Sequence, residues 1–171
     1  NPEPVYDELE AKAKRCGISV LKLQQGQKLQ FGDATMKILS PEPGAEGTDP
    51  NEEGLVMELC YGKFRGLFTG DIGEETEKKL LPRLDDVDFL KVGHHGSRYS
   101  SCQEFLDRIQ PEAAVISCSE SNTYGHPSPE TIKRLEQNGI KTMYTMKSGA
   151  VTVSTDGGHM WMETFCDGKT S

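Results

Sequence analysis

The chain has 171 residues, a formal net charge of −8, 35% hydrophobic residues and 27% charged residues. These values are typical of an ordinary globular protein, and an acidic chain is a poor general binder of a polyanion such as nucleic acid. No run of about 18 apolar residues is present, which argues against a membrane-spanning helix. The five cysteines show no CxxC spacing, so we expect free thiols rather than a disulfide framework or a zinc cluster.

The first third of the sequence predicts one helix followed by strands joined in hairpins. Apolar residues have helical spacing over residues 5–15, and residues 18–23 alternate between apolar and polar as a strand does. Two hairpins follow, separated by a Pro- and Gly-rich loop at residues 40–51. The strands predicted for these hairpins are residues 27–31, 35–39, 54–61 and 64–69.

Strands and helices alternate through the middle of the chain. Ser101 begins a Ser-x-x-Glu capping box, and Ser128 precedes Pro129 as an N-cap precedes a first-turn proline. This pattern indicates an α/β fold with mixed sheets and external helices, in a single domain over residues 1–171. The predicted strands are residues 67–69, 87–92, 113–118, 141–145, 149–155 and 159–165. The predicted helices are residues 74–81, 101–109 and 129–137.

Three short apolar runs are each followed by residues of types that commonly bind metals. Asp71 follows the first run, the pair His94-His95 follows the second, and His126 follows the third after a loop. A glycine precedes each of these positions, where it permits a sharp turn and a close approach. Ligands of open α/β sheets bind beyond the carboxyl ends of strands, so we expect these side chains to meet there.

A carboxylate and several imidazoles suit a pair of divalent cations that act on a phosphodiester. One of His94 and His95 is expected to bind metal, and the other to contact the phosphate or donate a proton to the leaving oxygen. Ser97 is a candidate phosphate contact through its hydroxyl and backbone N–H. Asn122 and Tyr124 are predicted to shape the loop that carries His126 or to contact the substrate.

Other polar residues have simpler interpretations. The acidic runs at residues 74–77 and 85–88 are interpreted as solvated surfaces, and His159 as a structural residue on an edge strand with Trp161. Lys91 lies within an apolar strand pattern, and its role is left open.

At these motifs the chain resembles the metallo-β-lactamase superfamily, and most closely the C-terminal domain of ComEC-type DNA-uptake competence proteins. The resemblance extends over residues 4–157. The matching segments include GLVMEL at 54–59, GLFTGD at 66–71, DFLKVGHHGS at 88–97 and NTYGHP at 122–127.

The resemblance implies a four-layer αββα fold and a site for two divalent cations, zinc or manganese. Asp71 would match the metal-bridging aspartate, and His94 or His95 together with His126 would match the downstream histidines. In the competence proteins this domain is thought to be a nuclease that degrades the DNA strand not taken up. The resemblance then implies that a soluble domain of a bacterial membrane protein binds the single-stranded DNA outside the cytoplasm.

The superfamily's first metal motif, an HxHxDH-like cluster, is not present in this sequence. We therefore expect a truncated domain that binds metal weakly or not at all and hydrolyses little by itself. Its exposed sheet face would receive the missing N-terminal half or drive self-association. Two alternatives remain: a secreted hydrolase of small phosphoesters or wall polymers, and a non-catalytic remnant of the fold.

Overall fold

The computed structural model describes residues 4–44 and 51–166. Within these residues the strands are β1 (Lys28–Phe31), β2 (Ala34–Ser40), β3 (Val56–Tyr61), β4 (Phe64–Phe68), β5 (Phe89–Lys91), β6 (Ala113–Ile116), β7 (Lys141–Tyr144), β8 (Val151–Thr155) and β9 (Met160–Thr164). The helices in the same residues are α1 (Pro4–Arg15), α2 (Glu74–Leu80), α3 (Gln103–Ile109), α4 (Pro129–Gln137) and the single turn α5 (Thr145–Ser148).

The first seven strands form one sheet in which their spatial order is their order in the chain. Strands β1 to β4 pair antiparallel, as consecutive hairpin strands do, and β4 to β7 pair parallel through helical crossovers. Both predicted hairpins and the predicted β/α alternation are therefore confirmed. The parallel part of the sheet is the part that carries the candidate site.

Helices α2, α3 and α4 cover one face of the large sheet. Their buried side chains Leu80, Phe105 and Leu135 pack with Leu67 and Leu90 of the sheet in one apolar cluster. Burial of this kind removes apolar area from water and is the main source of stability in such a fold. The predicted external helices are thus confirmed on this face.

Strands β8 and β9 form a separate antiparallel pair that packs against the opposite face of the sheet. Phe64, Phe89 and Val115 point to this side and contact Val153 and Met162. Because side chains alternate along a strand, Phe89 faces this pair while its neighbour Leu90 faces the helices. The fold is therefore mixed α/β, as predicted, and its described residues show three layers of helix, sheet and sheet.

One local prediction is wrong, and one short element was not predicted. Residues 18–23 are not a strand: Ile18, Val20 and Leu21 are exposed, and no strand pairs with them in the described part of the chain. Alternation alone does not make a strand, since a strand needs a partner for its backbone hydrogen bonds. No local pattern predicted the short helix α5. Of the predicted loop at 40–51, residues 45–50 lie outside the described residues.

Helices of the length and apolar character that a membrane crossing requires were not found in residues 4–44 and 51–166.

Leu90 gives a direct test of the core. The substitution Leu90→Ala removes a side chain that is 0% exposed between β4 and β6, so it should lower the free energy of unfolding by about 2–5 kcal/mol. Urea denaturation measures this change. The matched control is Leu21→Ala, at a leucine that is 70% exposed, which should change the free energy of unfolding by less than about 0.5 kcal/mol. Equal losses in the two variants would contradict this description of the core.

Candidate metal centre

The four candidate ligands lie at one edge of the sheet. Asp71 follows β4, the pair His94-His95 follows β5, and the loop that carries His126 follows β6. These three strands are parallel neighbours, so their carboxyl ends meet at the same edge. The convergence predicted from the sequence is present in the structure.

The ligands meet as two pairs. Oδ1 of Asp71 lies 3.7 Å from Nε2 of His95, and the ring centroids of His94 and His126 are 5.7 Å apart. The two pairs adjoin because His95 and His126 line the same cavity. All four side chains therefore face one region of the surface.

One ring orientation is fixed by the backbone. Nδ1 of His95 lies 2.7 Å from the carbonyl oxygen of Ser117. A carbonyl can only accept a hydrogen bond, so Nδ1 carries the proton and Nε2 of neutral His95 presents a lone pair on the side of Asp71. This is the arrangement in which histidine binds a metal while its second nitrogen is held by a hydrogen bond.

His126 has a buried nitrogen that no described group satisfies. Its Nδ1 is buried and has no hydrogen-bond partner among the described residues. Burial, followed by the neighbouring charges of His94, His95 and Arg98, lowers the pKa of His126 and favours the neutral imidazole. A neutral imidazole with an unpaired nitrogen is a suitable metal ligand.

The backbone of the His94-His95 pair is left-handed, with φ of 47° and 53°. This conformation is costly for residues with a Cβ, and such strain is typical of functional loops. The turn is held on both sides, because the N–H of His94 donates to the carbonyl of Gly70 at 3.0 Å and its carbonyl accepts from the N–H of Ser97 at 2.9 Å. The loop after β5 is thus tied directly to the loop after β4.

A buried carboxylate supports the segment that follows the histidines. Glu77 of α2 is 0% exposed and accepts hydrogen bonds from the N–H groups of Ser101, at 2.5 Å, and Cys102, at 2.9 Å. Burial raises the pKa of Glu77, and these two bonds oppose that effect. The interpretation of Glu77 as part of a solvated acidic surface is therefore wrong.

The capping box predicted at Ser101 is also wrong. Helix α3 begins at Gln103, its N-cap is Cys102, and no side chain of the helix caps it. Glu77 of α2 accepts instead from the N–H groups of the two residues that precede α3, Ser101 and Cys102. By contrast, the predicted N-cap is confirmed at Ser128, whose side chain accepts from the N–H of Thr131 at 3.2 Å.

Helix α4 holds the same segment from its other side. The guanidinium of Arg134 donates to the carbonyls of Ser100 and Ser101, both at 2.9 Å. The hydroxyl of Thr131 donates to the carbonyl of Ser97 at 2.7 Å. The bonds from Arg134 pair the carbonyls of Ser100 and Ser101, and the bond from Thr131 adds to the bonds that the Ser97 carbonyl accepts from Ser100. No local sequence pattern marks Glu77, Thr131 or Arg134 as supporting residues.

The residues predicted to contact substrate have different surroundings. Ser97 is buried, and both its N–H and its hydroxyl are hydrogen-bonded within the loop. Both amide hydrogens of Asn122 are donated, to the carbonyls of Ser119 and His126, which agrees with a role in shaping that loop. Tyr124 is exposed beside His126. Substrate contact by these three residues stays a prediction.

The donor set fits a divalent cation. Asp71 offers a carboxylate, His95 an oriented Nε2, and His126 an imidazole with an unsatisfied nitrogen. One carboxylate with imidazoles is a donor set that suits zinc and related divalent metals.

A tighter group of metal-type donors lies elsewhere in the described residues. The ligand atoms of Glu74, Cys102 and Glu104 lie within 4.8 Å of one another. Lys78 pairs with Glu74 at 2.6 Å and with Glu104 at 3.6 Å, and burial raises the pKa of the Cys102 thiol to about 12. This group is therefore a surface ion-pair cluster rather than a metal site.

Comparisons with known proteins agree with this fold and these motifs. The chain is 30% identical over 151 residues to ComE operon protein 3 of Bacillus subtilis (strain 168), and the match covers 87% of this chain and 19% of that protein. It is 32% identical over 128 residues to competence protein ComA of Neisseria gonorrhoeae, covering 73% of this chain and 18% of that protein. The chain thus spans about a fifth of the length of the curated relatives it matches. No protein-family model matches it.

Solved structures identify the fold. The metallo-β-lactamase fold protein YhfI of Bacillus subtilis matches with a TM-score of 0.51 and 11% identity, over 85% of this chain and 56% of that one. CmlA, a diiron β-hydroxylase of Streptomyces venezuelae, matches with a TM-score of 0.53 and 15% identity, over 78% of this chain and 35% of that one. The chain has a metallo-β-lactamase fold. It matches the ComEC-type region of competence proteins, which confirms the resemblance inferred from its motifs.

Glu77 provides a test of the support beneath the site. The substitution Glu77→Gln replaces one acceptor oxygen by an NH₂ group that faces a backbone N–H, so it should cost about 1.5–3 kcal/mol of unfolding free energy. Urea denaturation measures the loss. The matched control is Glu75→Gln, which breaks only an exposed pair with Lys79 and should cost at most about 0.5 kcal/mol. A loss no larger than that of the control would mean that the Glu77 carboxylate does not hold the loop.

Proposed function

We propose that this chain is a metal-dependent phosphodiesterase or nuclease region of a DNA-uptake competence protein. The observation that carries the proposal is the approach of the Asp71 carboxylate to Nε2 of His95, whose other nitrogen is held by the carbonyl of Ser117. The match to competence proteins supplies the biological context. A nuclease that removes the strand not taken up would meet its DNA outside the cytoplasm, so we propose that location as well.

In the proposed site Asp71, His95 and His126 hold the metal. A divalent cation bound there would act as a Lewis acid toward a phosphodiester oxygen and would lower the pKa of a water molecule. His94 is then the histidine left to contact the phosphate or to donate a proton to the leaving oxygen. Its ring lies beside that of His126, and the Gly70 carbonyl fixes its backbone. The support from Glu77 and Arg134 keeps this loop in place without contact to the substrate.

Calorimetric titration of the metal-free chain with Mn²⁺ tests the ligand assignment. Manganese is preferred to zinc because the exposed thiols of Cys16 and Cys166 would bind the softer zinc ion. The three donors assigned to the metal suit one cation better than two, so we expect no more than one weakly bound ion per chain. Asp71→Ala and His126→Ala should each weaken binding by about tenfold or more.

His159→Ala is the matched control for the titration. His159 is exposed, and Asp156 holds it within the turn between β8 and β9. Its loss should leave Mn²⁺ binding unchanged. Tight binding of two ions per chain would contradict the expectation of an incomplete cluster. Binding that no site variant alters would remove Asp71 and His126 from the site and favour the non-catalytic alternative.

A cleavage assay tests the reaction itself. The chain, alone and extended by an upstream segment that carries the superfamily's first metal motif, is incubated with labelled single-stranded DNA and Mn²⁺ or Zn²⁺. We expect metal-dependent cleavage from the extended chain and little from the chain alone. Asp71→Ala or His95→Ala should reduce the rate about a hundredfold or more, since even residues behind the ligands contribute up to that amount. Metal-dependent cleavage that survives both substitutions would refute the assignment.

A further inference from the structure

Tyr124 is an exposed aromatic side chain held beside the candidate metal centre. It is 82% exposed, and its ring lies nearly parallel to that of His126, with centroids 5.9 Å apart and 16° between the planes. Its loop is ordered by Asn122, which exchanges two hydrogen bonds with the backbone of His126, at 2.6 and 2.9 Å. The ring is therefore presented to solvent from a fixed loop.

A cavity of about 360 Å³ adjoins this ring. Its lining includes Tyr124, Asn122, Cys118 and the two candidate ligands His95 and His126. The volume lies within the range of pockets that take small ligands, and an aromatic wall suits a flat guest. A group bound there would lie next to the metal donors.

Arg98 is an exposed cation in the segment that follows the histidine pair, three residues beyond His95. Its guanidinium lies 5.9 Å from the ring centroid of Tyr99, within the range of a cation–π contact. In a chain of net charge −8, Arg98 gives the segment that carries the candidate ligands a local positive charge.

We infer that Tyr124 and the cavity beside it bind an unpaired nucleobase, so that the site selects single-stranded nucleic acid. The inference rests on the proposed phosphodiesterase function, which places a phosphodiester at the neighbouring donors. A base can stack on an exposed ring only when its own face is free, and stacking is largely independent of sequence. Paired bases in a duplex do not offer that face.

The test compares two oligonucleotides of equal length and phosphate number. Fluorescence anisotropy measures binding of the full chain to a labelled twelve-residue thymidine oligonucleotide and to a labelled abasic one, at low salt with a chelator present. Their affinity ratio isolates the contribution of the bases, because the phosphate charge is the same. We expect thymidine to bind about fivefold tighter or better, the lower end of what stacking of one base contributes.

Three variants assign the ratio to the tyrosine. Tyr124→Ala should bring the ratio below about twofold, whereas Tyr124→Phe keeps the ring and should keep the ratio. Tyr6→Ala is the matched control, since Tyr6 is 61% exposed on α1 and should have no effect. Circular dichroism confirms that the variants fold.

Several outcomes would overturn the inference. They are equal affinity for the two oligonucleotides, no detectable binding of either, a ratio unchanged in Tyr124→Ala, or a duplex bound as tightly as the single strand. The measurement needs no metal and no cleavage. A failure of the proposed metal site would therefore leave the base preference intact, and a failure of the base preference would leave the Mn²⁺ titration intact.

Discussion

Parallel pairing of β4, β5 and β6 is the constraint on which the candidate site depends. Leu67 is paired with Leu90, and Leu90 with Ala114, across three adjacent strands. A shift of one residue in either register would turn Leu90 away from the helices, because side chains alternate along a strand. The apolar core thus fixes where each strand ends, and with it where Asp71 and the histidines begin. No direct bond between the three loops is needed to bring them to one edge.

The second constraint is the cost of the loop shape itself. His94 and His95 both adopt a left-handed backbone, at a cost on the order of 1 kcal/mol for each residue. The turn itself is held by the carbonyl of Gly70 and the N–H of Ser97. The residues that follow it are held from outside, by Glu77 on α2 and by Arg134 on α4. A loop without these partners would leave buried N–H and carbonyl groups unsatisfied. The left-handed turn at the histidines is therefore followed directly by a segment whose backbone is held by buried polar side chains.

Structure that depends on neighbouring residues could be predicted from the sequence, whereas structure that depends on distant residues could not. Elements set by local patterns were predicted well, including α4, whose bounds and Ser128 cap match the structure. The convergence of the metal donors followed from a general rule about parallel strands. Residues 18–23 failed because a strand depends on a partner elsewhere in the chain.

Glu77 shows why the support of the site escaped prediction. It stands 24 residues before Ser101, within a run of acidic residues that resembles a solvated surface. Helical spacing was the available clue, since Glu77 and the buried Leu80 are three residues apart and share a face of α2. That spacing shows that Glu77 faces inward, but it does not show which N–H groups it meets. The tautomer of His95 was equally out of reach, because it depends on a carbonyl 22 residues later.

The contacts of Arg134 have a consequence for protein engineering. Its planar guanidinium spans two successive carbonyls of the loop, a geometry that a single ammonium group does not reproduce. A graft that carried the HHGS segment and the residues after it without α2 and α4 would leave these carbonyls and the N–H groups of Ser101 and Cys102 without their partners. A designer who wants this segment in its present shape must transplant the carboxylate and the guanidinium with it, together with the two helices that carry them.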